Sequence, residues 1–156
     1  MRLYLAAALV ASVLLASCAA TAVDPTVTDV RAAGYSCGDG VRDNVPSGLF
    51  EWHCVGRAGG VDSYVDVDAN DSGVYGLTLA VASPDPAIIR AEFVRLSAAL
   101  RPLASAPALQ SALGAWSGTQ TSVLVDRARV TSECDEAQCS VEVISSDGPL
   151  MPLLLP

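Results

Sequence analysis

The chain has no lysine: all nine of its basic residues are arginine, set against 17 acidic residues for a formal net charge of −8. A surface of that sign repels nucleic-acid phosphate and anionic lipid headgroups alike. Nucleic acid is thereby excluded as a partner, and any membrane attachment must come from something other than a basic patch. Histidine occurs once, at His53, so a serine or cysteine mechanism with an imidazole base would have to use that ring. No C-x2-C element of the kind that builds zinc sites is present. Aromatic residues make up only 5% of the sequence. Beyond residue 15 no apolar run approaches the roughly 20 residues that a membrane-spanning helix requires.

What is present begins at the amino terminus. Met1 and Arg2 supply a short positive region, and Leu3 to Leu15 is free of charge. That length suits the apolar region of a signal peptide and is too short for an ordinary span. Leu15-Ala16-Ser17-Cys18 then closes the run. These four residues resemble the lipobox of bacterial lipoproteins, at which a diacylglycerol joins the cysteine thiol and the preceding peptide is removed. The resemblance covers residues 1–18 alone. It implies a signal peptide at 1–17, a lipidated Cys18 with a short tether through residue 23, and acyl chains such as palmitate as the membrane partner. The implied location is the extracytoplasmic side of a cell membrane or outer membrane. Ala19 is not the aspartate associated with inner-membrane retention, so both membranes stay open. A plain secretory signal cleaved at an A-x-A-like site, or an uncleaved anchor, would fit the same apolar run. The lipid reading is preferred because all four positions are filled and because it accounts for an odd cysteine.

Five cysteines in a secreted chain leave one thiol over. With Cys18 assigned to lipid, Cys37, Cys54, Cys134 and Cys139 form an even set in an oxidising compartment. Three pairings are possible; Cys37–Cys54 with Cys134–Cys139 is favoured, since each then closes a local loop between adjacent strands. The larger loop should contribute roughly 3 kcal/mol by restricting the unfolded chain.

Residues 24–147 form one domain, followed by an apolar, proline-containing tail at 148–156. Asp24-Pro25 and Asp85-Pro86 each pair an N-cap residue with proline at the first helical position. The first opens a helix over about Pro25–Ala33, with Gly34 as its stop. The second opens a helix over about Pro86–Arg101, whose Ile89, Phe93, Leu96 and Leu100 make one apolar stripe. Strands are expected at Tyr35–Cys37 and Leu49–Val55, with a loop at 38–48 between them. The clearest unit is a hairpin: Val65, Val67 and Ala69 alternate with polar residues, Asn70 to Gly73 turn the chain, and Tyr75, Leu77, Leu79 and Val81 alternate again. Residues 102–118 are rich in alanine, proline and serine, with a helical turn or two around 108–116. Strands at Ser122–Val130 and Cys139–Ser145 complete a second hairpin around Cys134 and Cys139. The expected fold is α+β: an antiparallel meander sheet, two main helices on one face, in the order αββββαββ.

Candidate chemistry is sparse. His53 fits a strand position on the polar face opposite Trp52 and Cys54. Gly114-Ala115-Trp116-Ser117-Gly118 places its serine one position too late for a nucleophile elbow. Asp66, Asp68 and Asn70 match the first three ligands of a calcium loop, but Asp71 stands where glycine is needed and Leu77 where glutamate is needed. Cys37, His53 and Cys54 cannot readily share a metal, because neighbours on a strand point to opposite faces. Gly38-Asp39-Gly40 does not continue as a dinucleotide-binding loop. Trp52, Trp116, Tyr64 and Tyr75 suit packing, with one or two free to anchor a partner. No catalytic set, metal site or cofactor is therefore expected. The functional expectation is a non-enzymatic lipoprotein that binds an envelope protein or ligand. The alternatives are a small carboxylate-dependent hydrolase, or an inhibitor of a secreted hydrolase acting through the 38–48 loop.

Overall fold

The computed structural model describes residues 25–42, 48–70, 72–100, 111, 116, 118–125, 128–145, 147–148 and 150–152. The expected signal segment, Cys18, the tether, the Asp24 cap and most of the 102–118 stretch lie outside them. The described elements run α1 (Pro25–Ala32), β1 (Ser36–Cys37), β2 (Val41–Arg42), β3 (Phe50–Ala58), β4 (Val61–Asn70), β5 (Gly73–Val81), α2 (Pro86–Ala99), β6 (Thr121–Val125), β7 (Ala128–Cys134), β8 (Cys139–Ser145) and β9 (Met151–Pro152). The described residues are thus mostly antiparallel sheet, with the two helices α1 and α2.

Every described pairing is antiparallel, and the main path across the sheet is β1-β3-β4-β5-β8-β7-β6, with β2 beside β3 and β9 beside β5. This corrects the simple meander. After β5 the chain crosses through α2 and the far edge, and returns so that β8, not β6, lies next to β5. Burial explains the order. The alternate residues Cys139, Val141 and Val143 of β8 are buried, whereas β6 is open on both faces and suits an edge.

The element count also departs from αββββαββ. Alternation over 122–130 reads as one strand, but the structure divides it into β6 and β7, which pair from Thr121 opposite Ser132 to Val125 opposite Ala128. The polar pair Asp126-Arg127 separates them and carries no glycine to announce a turn. The second expected strand likewise runs on to Ala58 and meets β4 through Gly59 and Gly60. Both glycines have positive φ, +56° and +88°, as a two-residue hairpin turn requires. In the central hairpin a bulge falls between Asp68 and Ala69, so Gly76 faces Asp68 and Val74 faces Ala69. Val74 therefore points inward and Tyr75 is the extra residue. The sheet also takes in the apolar C-terminal segment, where Met151 and Pro152 pair with Val74 and Gly73.

One hydrophobic cluster joins the helices to the sheet. Val27 and Val30 of α1 and Ile89, Phe93 and Leu96 of α2 pack with the inward residues Cys54, Val65, Leu79 and Val141. Asp85 caps α2 by accepting from Ala87 N at 2.8 Å, as the sequence pattern requires. The α2 stripe of Ile89, Phe93, Leu96 and Leu100 is buried throughout. Gly34, at φ 95°, ends the turn after α1. The cysteines pair as favoured, Cys37 with Cys54 between β1 and β3 and Cys134 with Cys139 between β7 and β8. No helix among the described residues is long and apolar enough to cross a membrane.

Candidate functional site

Because the helices and inward side chains close one side of the sheet, the outward alternates form a second face, over which no helix lies among the described residues. Strand register arranges it in rows. Glu51, Asp68, Gly76, Ile144, Arg129 and Leu124 make one row, and His53, Asp66, Thr78, Glu142, Thr131 and Ser122 make the next. The outward residues of β3, β4 and β8 bring carboxylates to this face from Glu51, Asp62, Asp66, Asp68 and Glu142.

His53 Nδ1 lies 2.5 Å from Asp66 Oδ1 directly across the strands. Its ring stacks on Tyr64, with centroids 5.9 Å apart and planes 21° from parallel. The imidazole is 60% exposed, so water surrounds it, and Thr78 stands on the far side of Asp66 rather than beside the ring. The arrangement is a solvated cross-strand pair that fixes one edge of the ring. It places His53 opposite in direction to Cys54, whose side chain is buried and tied to Cys37. The three residues Cys37, His53 and Cys54 are accordingly not gathered around a common point. Asp66 and Asp68 both face outward from β4, while Asn70 accepts from Ser72 N at 2.8 Å within the turn. No group of three or more potential metal ligands occurs among the described residues.

The deepest polar cluster is one that the sequence reading does not single out. Tyr35, Ser63, Glu92 and Arg95 come together between the turn after α1, β4 and α2. Tyr35 Oη donates to Glu92 Oε1 at 2.5 Å and lies 2.7 Å from Ser63 Oγ. Arg95 donates through Nε to Glu92 Oε2 at 2.9 Å and through Nη2 to Oε1, while its Nη1 reaches the Ala33 carbonyl at 2.6 Å. Its guanidinium also sits 5.7 Å from the centre of the Tyr35 ring. Burial, then the hydrogen bond to Glu92, pushes the Tyr35 phenol up to about 12. The Glu92 carboxylate raises Arg95 further above its ordinary range. A phenol so held stays protonated near neutrality and acts as a donor, and the cluster clamps three elements together. Its signal in the sequence is Glu92 itself, an acid three residues after Ile89 and four before Leu96 within the apolar stripe.

The tryptophans are packing residues. Trp52 is buried, and Trp116, also buried, donates its indole N–H to the Thr119 carbonyl at 2.5 Å, while Arg90 reaches the Trp116 carbonyl at 2.6 Å. Gly40 lies against Trp52, where a Cβ would fall 2.5 Å from the indole ring, and the loop expected over 38–48 is interrupted by β2, which pairs with β3. Residues 43–47 of that loop, and Gly114, Ala115 and Ser117 of the serine segment, lie outside the described residues. At the 134–139 turn, Asp135 accepts from Ala137 N and Gln138 N at 2.7 and 2.8 Å, which lowers its pKa. No protein-family model, no curated protein and no solved structure matches the chain.

Proposed function

We propose that this chain is a bacterial lipoprotein whose lipid-bearing residue is Cys18, and that its domain is a non-enzymatic binding module of the cell envelope. The observation that carries the reading is the Leu15-Ala16-Ser17-Cys18 pattern at the end of a charge-free run. Cysteine pairing supports it. With Cys37–Cys54 and Cys134–Cys139 joined as disulfides, Cys18 is the sequence's remaining cysteine. Disulfides also suit an oxidising, extracytoplasmic location. On this reading residues 1–17 are removed, acyl chains hold the amino terminus, and the tether through residue 23 keeps the domain close to the membrane. The net negative charge keeps the domain from adhering to anionic headgroups, so the lipid alone supplies attachment.

The outward sheet face supports binding rather than chemistry. Its carboxylates are spread over several strands, and the most buried acid, Glu92, is engaged by Arg95 and Tyr35 on the opposite side. Metabolic labelling with radioactive palmitate tests the anchor. Wild-type protein should incorporate label and fractionate with membranes, and Cys18→Ala should do neither. A Cys18→Ala chain that is processed and retained on membranes normally would refute the reading. Crosslinking in intact cells, followed by identification of neighbours, then defines the partner.

A further inference from the structure

The dipeptide Asp-Gly occurs twice in the sequence, at Asp39-Gly40 and Asp147-Gly148. It is a chemically weak point in any chain. With no Cβ on the second residue, nothing shields its peptide nitrogen from the aspartate carboxyl carbon. Both aspartates are exposed, so contact with water does not separate them. What separates them is the room that each is given.

Each dipeptide lies where a strand pairing is interrupted. Between the register pairs Cys37–Cys54 and Val41–Glu51, the three residues 38–40 stand against two, Trp52 and His53. That is a bulge of one residue. The disulfide at Cys37 and the hydrogen bond from Gly38 N to the His53 carbonyl, 3.1 Å, hold one end of it, and β2 holds the other. Gly40 is pressed on the Trp52 indole, 2.5 Å from where a Cβ would be. The second interruption is wider. Six positions of sequence separate Ile144 from Met151, against Tyr75 alone between their partners Gly76 and Val74. Ser145 Oγ accepts from Asp147 N at 3.3 Å and donates to the Gly148 carbonyl. The chain rejoins the sheet where Leu150 N donates to the Val74 carbonyl at 2.7 Å. Gly148 takes φ 85°, a conformation that favours glycine, and no described atom lies within 4 Å of where its Cβ would be.

We propose that Asp147 is the site at which the folded protein forms isoaspartate, and that the fold protects Asp39. The reaction exchanges bonds without a net change in mass. The Gly148 nitrogen bonds to the Asp147 side-chain carboxyl carbon. Water departs with one carboxyl oxygen, its proton and the amide proton. A second water then opens the cyclic imide at the main-chain carbonyl carbon, breaking the bond from that carbon to the Gly148 nitrogen. The chain now runs through the Asp147 side chain, one methylene longer, with the carboxylate on the α-carbon. Ring closure needs the glycine nitrogen to swing toward the carboxyl carbon. At 147 the long link gives slack for that swing and takes up the added methylene. At 39 the same swing drags Gly40 along the indole within a bulge that has no slack. Reaction there waits for β1 or β2 to open from β3.

The full chain, with disulfides intact, is aged in neutral buffer made with oxygen-18 water, digested, and sequenced by electron-transfer fragmentation. Each passage through the imide installs one solvent oxygen, so the label counts events even where aspartate re-forms. Asp147 should gain label and isoaspartate about tenfold faster than Asp39, the ratio that an opening cost of roughly 1.4 kcal/mol produces. In urea with reductant the two rates should converge, because the fold no longer distinguishes the sites. Asp147→Glu, whose longer side chain would have to close a larger ring, should remove the signal at 147. Equal rates at 39 and 147 in the folded chain would overturn the proposal, as would label at 39 alone. A gap that persists unchanged in urea would do the same, since neighbouring sequence and not the fold would then set it.

Discussion

Tyr35 reaches Glu92 across 57 positions of sequence to donate a 2.5 Å hydrogen bond, joining the turn after α1 to the middle of α2. Glu92 is 5% exposed, and a carboxylate at that depth needs each of its partners. Tyr35→Phe removes one donor and leaves Arg95 to hold the acid. Loss of about 1.5–3 kcal/mol is expected, the range for hydrogen bonds to charged groups, read as a lower midpoint in urea denaturation with an unchanged slope. Glu92→Ala should cost more, because it leaves the Arg95 guanidinium and the Tyr35 hydroxyl without their shared acceptor. A Tyr35→Phe protein as stable as wild type would show that the cluster is ornamental.

The same phenol gives the protein an alkaline limit. Its pKa stands at about 12 when folded and 10.0 in the open chain, chiefly through burial and then through Glu92. The unfolded chain therefore releases the proton at lower pH than the folded one. This contribution is complete below pH 10 and is lost as pH climbs toward 12. Thermal melts between pH 9 and 12 should show a steeper decline for wild type than for Tyr35→Phe. Parallel declines would mean that other groups set the limit.

Local pattern made the central hairpin and α2 legible, because period-two alternation in 64–81 and the Ile89, Phe93, Leu96, Leu100 stripe each specify one buried face. Cysteine proximity made both disulfides legible for the same local reason. The join between β5 and β8 was not, since no short window says which later strand will enter beside Leu79. The break between β6 and β7 was hidden by composition: Asp126-Arg127, between them in sequence, lacks the glycine or asparagine that marks Gly59-Gly60 so plainly. Of the site, His53 and the outward aspartates could be placed on the polar face from alternation alone. Tyr35, Ser63, Glu92 and Arg95 could not be assembled, because their contacts depend on how α1 and α2 sit over β4.

Gly56 marks where the ring of Tyr35 lies close against β3. A Cβ at that position would fall 2.7 Å from Tyr35 Cδ1, and the ring is held by Glu92, Ser63 and the overlying Arg95. It has little freedom to retreat. Gly56→Ala should therefore destabilise by about 1–3 kcal/mol, as overpacking of a well-filled site does. The same change at Gly60, where φ is +88° but no atom lies within 4 Å, would act through backbone strain alone. Combining Gly56→Ala with Tyr35→Ala separates the causes. The clash disappears with the ring, so the second substitution should make the first nearly neutral in a double-mutant cycle. An additive cycle would place the cost in the strand itself.

The two disulfides should differ in what they contribute. Cys37–Cys54 spans 17 positions and holds the two-residue β1 against β3, with Cys54 fully buried among core residues. Cys134–Cys139 spans five positions at the mouth of a turn already fixed by Asp135. Loop closure alone predicts a larger loss from opening the first, about 3 kcal/mol against less for the second. Core packing does not separate the two, since Cys54 and Cys139 are both fully buried and serine at either position would bury a hydroxyl. Paired serine replacement at 37 and 54 should therefore lower the melting temperature well beyond replacement at 134 and 139. Equal losses would mean that the short turn, not the β1 edge, is where the fold depends on its sulfur.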